Sequence, residues 1–426
     1  MNKTPHTATG GGGIIVVGGG PAGIMAAGRA GELGAKTTLI EKNPRLGLKL
    51  LLTGGGRCNV TNSAGVKDFI GAFGKNGKFL YRALTVFSSR NLTGFLHAHG
   101  VPTRTDPDGK IFPSDDKAQS VLSALSSYLR HCNVKVSCGL QAARILLKDG
   151  AIEGVELQDG SVIRGEKVII ATGGMSYPKT GSTGDGYAWA KQCGHGIVPL
   201  RPGLTALESD EPFIKELQGL TLQNITIAVA ADGKKSAAEK GELLFTHFGV
   251  SGPKLLVMSG AAVDALDSGL RVELSVNLKP ELRPEELTAS IQAYFSGNGA
   301  RQFSSYVKET LPGSLAPVFE RRCGIDRARQ CATITGAERK KIAELLSDFR
   351  IHITRPRPLR EATVTRGGVE LAEINPQTME SRLVPGLYFC GEVLDLDGIT
   401  GGYNLQEAFS TGYLAGQSAA APGTTP

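Results

Sequence analysis

Three glycine-rich stretches and one acid stand at spacings that chemistry could use. Gly18, Gly20 and Gly23 form a G-x-G-x-x-G, and Glu41 follows 18 residues after the last of them. Glycines so spaced let a backbone touch a pyrophosphate at the start of a helix, where free N–H groups and the positive end of the dipole favour anions. An acid at that distance suits a ribose hydroxyl. Glycine is abundant, 57 residues of 426, about twice its usual share of roughly 7%. A chance match is therefore easy, and the flanking elements must decide.

A second run, TGGGRCN at 53–59, follows Gly47-Leu48-Lys49. So bare a stretch suits close passage over a flat ring system or a second phosphate contact. A third begins at Gly391-Glu392, continues through Asp395-Leu396-Asp397-Gly398, and reaches Thr400-Gly401-Gly402-Tyr403-Asn404. Two further side chains could act on a substrate. His247 carries an imidazole, whose ordinary pKa lies near neutrality. Cys58 invites a redox role but has no CxxC partner.

The flanks support a dinucleotide site. Residues 14–17 are an all-apolar, β-branched run, as in a strand buried on both faces of a parallel sheet. Residues 22–33 read as a helix with small positions Ala22, Ala26, Ala27 and Ala30 and a Gly34 stop. Residues 37–40 are the next strand, with Glu41 at its end. Strands are also expected at 134–137 and, as a meander turning at Asp149-Gly150 and Asp159-Gly160, at 143–147, 152–157 and 161–164. The strand expected at 167–171 runs into Thr172-Gly173-Gly174. Long alternating strands with few helical signals begin near residue 196, helix-start acids near 280, and the glycine-rich style returns after Pro358 with a final helix from about Asn404.

The predicted organisation is a tail at 1–13, a dinucleotide-binding domain in two parts, 14–195 and 351–426, a β-rich insert at 196–279 and a helical insert at 280–350. The chain has 47 basic and 40 acidic residues and a net charge of +7. That excess is scattered and lacks the aromatic-basic interleaving of a single-strand binder, so no nucleic-acid partner is expected. Seven cysteines, an odd number without CxxC, fit a reducing compartment. No apolar run reaches the 18 or so residues of a membrane span, and a cytoplasmic protein is expected.

Taken together, IIVVGGGPAG, LLLTGGGRCNVTN, GELLFTHFGVSGP, TRGGV and GLYFCGEVLDLDGITGGYNLQEAFSTG resemble the HI0933-like FAD-dependent oxidoreductases, with their aminoacetone oxidase and BaiN-type members. The resemblance implies an α/β fold, a split Rossmann-like FAD-binding domain of the two-dinucleotide-binding type with inserted β-barrel-like and helical subdomains. It implies non-covalent FAD held at its adenosine and pyrophosphate end by Gly18, Gly20, Pro21, Ala22, Gly23, Glu41 and Lys42. Gly54, Gly55, Gly56, Arg57, Cys58 and Asn59 would lie near the ring, and Thr172 and Gly173 would cover the nucleotide. Gly391, Glu392, Asp397, Gly401, Gly402, Tyr403, Asn404 and Leu405 would supply ribityl and ring-edge contacts. A helix start aimed at the flavin would stabilise the charge that reduction places on N1 and the C2 carbonyl.

No second strand-GxGxxG-helix unit is present, so NAD(P)H, if a co-substrate, would bind in the flavin cleft. The leading expectation is an oxidase or dehydrogenase of a small metabolite, for example an amine such as aminoacetone with oxygen as acceptor. The alternatives are an NAD(P)H-dependent reductase of an unsaturated or keto substrate, a nucleic-acid-associated flavoprotein, and a flavin-bound sensor without turnover.

Overall fold

The computed structural model describes residues 13–421; the tail expected at 1–13 lies, but for Gly13, outside them. The chain divides into two units, one of residues 1–201 with 359–426 and the other of residues 202–358.

The first unit is built on a five-stranded parallel sheet in the order Leu387–Phe389, Lys167–Ile170, Ile14–Val17, Thr37–Glu41, Lys135–Cys138. Ile14 pairs with Lys167 on one side and Thr37 on the other. The three inner strands are almost wholly buried, which explains their lack of polar alternation. The strand near 135 thus joins the main sheet beside Thr37–Glu41, while Ala142–Lys148, Ala151–Leu157 and Val162–Arg164 form a separate antiparallel meander.

Two helices cross this sheet in close contact, Pro21–Glu32 and the terminal Tyr403–Ala420. Small residues make that approach possible. A Cβ at Gly412 or Gly416 would fall inside van der Waals contact of the carbonyl oxygens of Ala22 and Ala26. The first helix begins at a Pro at its first position and ends near Gly34, as the sequence suggests.

The second unit carries an antiparallel sheet in which Thr221–Ala231 pairs with Glu239–Phe245 and Val272–Asn277, and Val272–Asn277 with Phe349–Ile353. The helices Pro284–Gly297, Leu315–Cys323 and Gly336–Ser347 pack on the same apolar core as these strands, through Phe295, Phe319, Leu346, Leu274 and Phe349. The β-rich and helical stretches therefore share one core. A fifteen-residue helix, Pro253–Asp267, also stands where the sequence offers few helical signals. Its small and apolar residues are spread around the helix and blur the 3.6-residue period.

Candidate flavin site

The first glycine run turns tightly between strand and helix. Gly18 has φ of +111°, and a Cβ there would collide with the Ala171 carbonyl; one at Gly23 would collide with the Gly18 carbonyl. Gly20 differs, because a Cβ there would meet nothing within 4 Å. Gly18 and Gly23 thus shape the turn, and Gly20 leaves open space before the N-terminus of Pro21–Glu32, which no side chain caps. Free N–H groups facing a cradle suit a pyrophosphate.

Glu41 is buried at the end of its strand and its carboxylate already accepts three bonds. Oε2 takes the Gly19 N–H at 2.6 Å, and Oε1 takes the backbone and side-chain N–H groups of Asn43 at 2.8 and 2.7 Å. Its first task is to hold the glycine turn, with little acceptor capacity left for a ribose. Lys42 turns to the far wall, where its ammonium meets Asp185 at 2.8 Å and also donates to Thr183. Beyond the Lys167–Ile170 strand, the Thr172 hydroxyl is buried with no hydrogen-bond partner, and Gly173 takes φ of +71°.

The second run is not an open loop. Leu50–Gly56 is a tight 3₁₀-type segment broken at Thr53, Gly54 and Gly55, after which Cys58 takes φ of +62°, which non-glycine residues rarely adopt. Asn59 explains the turn. In the amide orientation that satisfies its neighbours, it donates to the carbonyls of Thr61 (2.9 Å) and Ile111 (3.1 Å) and accepts from Gly402 N–H (2.9 Å). Asn62 donates to the Gly401 carbonyl at 3.0 Å, and Thr61 donates to Gln406 at 2.6 Å. The segment from Asn59 to Asn62 is therefore fastened to the start of the terminal helix, Asn62 and Gly401 being 339 residues apart in sequence.

That helix start is itself without a side-chain cap, and its boundary residue Gly402 has φ of +92°. Asn404, which sequence suggests as a flavin contact, instead exchanges bonds with Gly398, accepting its N–H at 2.8 Å and donating to its carbonyl at 2.9 Å. Asp397 faces Arg366 at 3.3 Å. Tyr403 packs edge-on against Phe69, and Leu405 lies partly buried against the main core. Gly391 lies so close to Ala22 that a Cβ would stand 2.8 Å from it.

Sequence reasoning missed a network that closes this site. Lys49 donates to Glu392 and to Ser176, both at 2.6 Å, while the other Glu392 oxygen accepts from Ser176 at 3.0 Å and from Thr365 N–H at 2.8 Å. It joins the segment before TGGGRCN to the Gly391-Glu392 turn and to the stretch after Thr172-Gly173-Gly174, yet no spacing rule links Lys49 to Ser176. A second omission is Glu407, which is 2% exposed on the terminal helix. Burial pushes its carboxyl up to about 8, against a bond from the Thr411 hydroxyl that pulls it down; the nearby Glu392 adds to the rise.

The two side chains proposed for substrate chemistry fare differently. Cys58 is fully buried, and burial raises its thiol to about 12, outweighing the Thr53 hydroxyl that lowers it. A thiolate is then a minor species at neutral pH, which argues against a redox thiol. His247 is in the second unit, exposed at the turn between Glu239–Phe245 and Gly249–Ser251, its ring edge-on to Phe248 at 5.0 Å.

Two uncapped helix starts, an open glycine position and an orphaned hydroxyl at the ends of parallel strands fit a dinucleotide with an anionic middle and a ring system at the second helix. The fold that carries them is of the Rossmann type. Residues 13–418 match the HI0933-like protein Rossmann domain, and the chain belongs to that family of FAD-dependent oxidoreductases. It is 31% identical over 410 residues to the 3-dehydro-bile acid delta(4,6)-reductase of Clostridium scindens, covering 96% of this chain and 98% of that protein. It is also 31% identical over 412 residues to the ribosomal RNA dihydrouridine synthase of Escherichia coli, covering 95% and 96%. Among solved structures, the 3-ketosteroid-delta4-(5alpha)-dehydrogenase of Rhodococcus jostii RHA1 superposes with a TM-score of 0.54 at 14% identity, covering 98% of this chain and 99% of that one. A flavocytochrome c3 fumarate reductase gives 0.52 at 17%, covering 97% and 79%. Among the described residues, no helix is long and apolar enough to cross a membrane, and no group of three or more metal-binding side chains occurs.

Proposed function

We propose that the protein is an FAD-dependent reductase of a carbon–carbon double bond conjugated to a carbonyl, drawing its electrons from NAD(P)H. The observation that carries this reading is the agreement of two relatives of equal identity. One is named a reductase of bile-acid double bonds and the other a dihydrouridine synthase. Both names describe the addition of two hydrogens to a C=C bond, in a 3-oxo steroid acid or in a uracil ring. This favours the reductase alternative over oxidation of an amine such as aminoacetone.

The chain's own residues would prepare the reaction as follows. Gly20 and the N-terminus of Pro21–Glu32 would seat the pyrophosphate, and the terminal helix start would face the pyrimidine edge of the ring, where its positive end favours the reduced, anionic state. Bound FAD supplies a hydride at N5. The Lys49–Glu392–Ser176 cluster would fix the walls so that the acceptor carbon is held in register. Reduction of the conjugated double bond would place negative charge on the substrate's carbonyl oxygen, and a proton from solvent at the α-carbon would complete the addition of two hydrogens.

A second reading concerns the substrate alone. The name of the E. coli relative favours a uracil within RNA over a free small molecule. Anaerobic mixing of the yellow protein with NADH, NADPH and aminoacetone tests the electron source: bleaching by a nicotinamide is expected. Bleaching by aminoacetone alone would return the oxidase reading.

A further inference from the structure

We propose that Arg57 is the substrate's carbonyl anchor, the guanidinium that receives the oxygen on which negative charge gathers during double-bond reduction; this deepens the reading above and rests on it for the reaction.

The case begins with an unspent cation. Arg57 is exposed, and among the described residues no carboxylate stands within ion-pair distance of it; its side chain makes one long hydrogen bond, 3.3 Å, from Nε to the Gly54 carbonyl. Its terminal amino groups are thus free to donate. The side chain is nevertheless held in place. Its guanidinium lies over the face of the buried Phe112 ring, 4.7 Å from the centroid. Arg104 approaches the same ring at 5.3 Å but is committed to Asp106 and Asp116. Two guanidinium groups share one aromatic platform, and only Arg57 keeps its donors.

Backbone geometry gives a second, independent indication. The turn that presents Arg57 is bought by the left-handed Cys58, a conformation that persists in a non-glycine residue only where neighbours enforce it. Those neighbours are the Cys58 N–H bond to the Thr53 carbonyl at 2.9 Å and the clasp of Asn59 on Gly402. Arg57 therefore stands two residues before Asn59, which holds the start of the terminal helix through Gly402. On the side of Gly55 and Gly56 there is room, since a Cβ at either would meet nothing within 4 Å.

A planar fork stacked on an aromatic ring, with N–H groups not engaged by any carboxylate, suits a carbonyl oxygen that becomes an enolate oxygen. The donors are in place before charge develops, which is where they contribute most to rate. A solvated surface arginine would need neither the stacking nor the enforced turn.

The test uses FAD-loaded protein and pentafluorophenolate, an enolate-like oxyanion ionised at neutral pH, followed by perturbation of the flavin absorption. Arg57→Met is expected to weaken binding about ten- to a hundredfold, the usual cost of a lost charged hydrogen bond. Arg57→Lys, which keeps the charge but not the fork, should fall between. Binding is compared at matched FAD occupancy, with thermal unfolding of each variant as the check on the fold, so that any loss of cofactor is separated from loss of the anchor. Equal affinity in Arg57→Met, or no binding by wild type, would overturn the proposal. Arg57-dependent phenolate binding without enone reduction would sink the reaction reading and leave the anchor standing.

Discussion

Glu407 stores a proton inside the first unit, and the sign of its effect on stability follows directly. Its folded pKa of about 8 lies above the ordinary carboxylate value, so the native state holds the proton over a range where the unfolded chain has released it. The stabilisation is complete below about pH 4.5 and is lost as pH rises toward 8, on the order of a few kcal/mol in all. Urea unfolding at pH 5, 7 and 9 should show wild type weakening with pH, and Glu407→Gln should flatten that slope. Cys58 gives a second residue-level expectation. With its thiol buried and raised to about 12, it should resist iodoacetamide at pH 8 while the exposed Cys138 is alkylated; peptide mapping that finds Cys58 labelled first in folded protein would contradict the geometry. Of these residues, the glycine spacing and Glu41 could be read in the sequence. That Glu41 is spent on Gly19 and Asn43 could not, because it depends on where two backbone N–H groups point.

The helix pair Pro21–Glu32 and Tyr403–Ala420 is the element on which the cofactor site depends. Gly416→Ala would place a methyl against the Ala26 carbonyl in a buried, tightly packed contact. Overpacking of this kind costs about 1 to 3 kcal/mol, and both stability and FAD retention should fall, as thermal unfolding and cofactor release on dilution would show. Gly402→Val tests the start of the terminal helix. A side chain there points at the Thr61 backbone, so the variant should loosen the joint between TGGGRCN and the terminal helix rather than simply shift a flavin potential. Loss of FAD should accompany any change in potential. The terminal helix was legible from its apolar period and the parallel strands from their unbroken hydrophobic runs. The Pro253–Asp267 helix was not, since residues apolar on every side leave no period to detect.

At the scale of the molecule, the sequence carried the split of the dinucleotide domain, because its two glycine-rich parts bracket a stretch of different texture. The observed division at 201/202 and 358/359 lies a few residues from the expected 195/196 and 350/351. The unity of residues 202–358 was hidden, since a shared core between strands and helices is a tertiary fact that local patterning does not contain. The three clasps that join Lys49, Asn59 and Ser176 to residues beyond 360 were hidden for the same reason. Denaturation should release FAD, and FMN or no flavin at all would remove the cofactor on which the proposed reaction depends.

The most direct measurement is a single turnover. The FAD-loaded protein is reduced anaerobically, freed of reductant, and mixed in separate samples with a 3-oxo-4-ene steroid acid and with ribosomal RNA lacking dihydrouridine. The account predicts that one of them reoxidises the flavin and is recovered carrying two added hydrogens at its double bond, one equivalent for each FAD. A flavin that stays reduced with both, and regains its yellow colour only when oxygen is admitted, would contradict it.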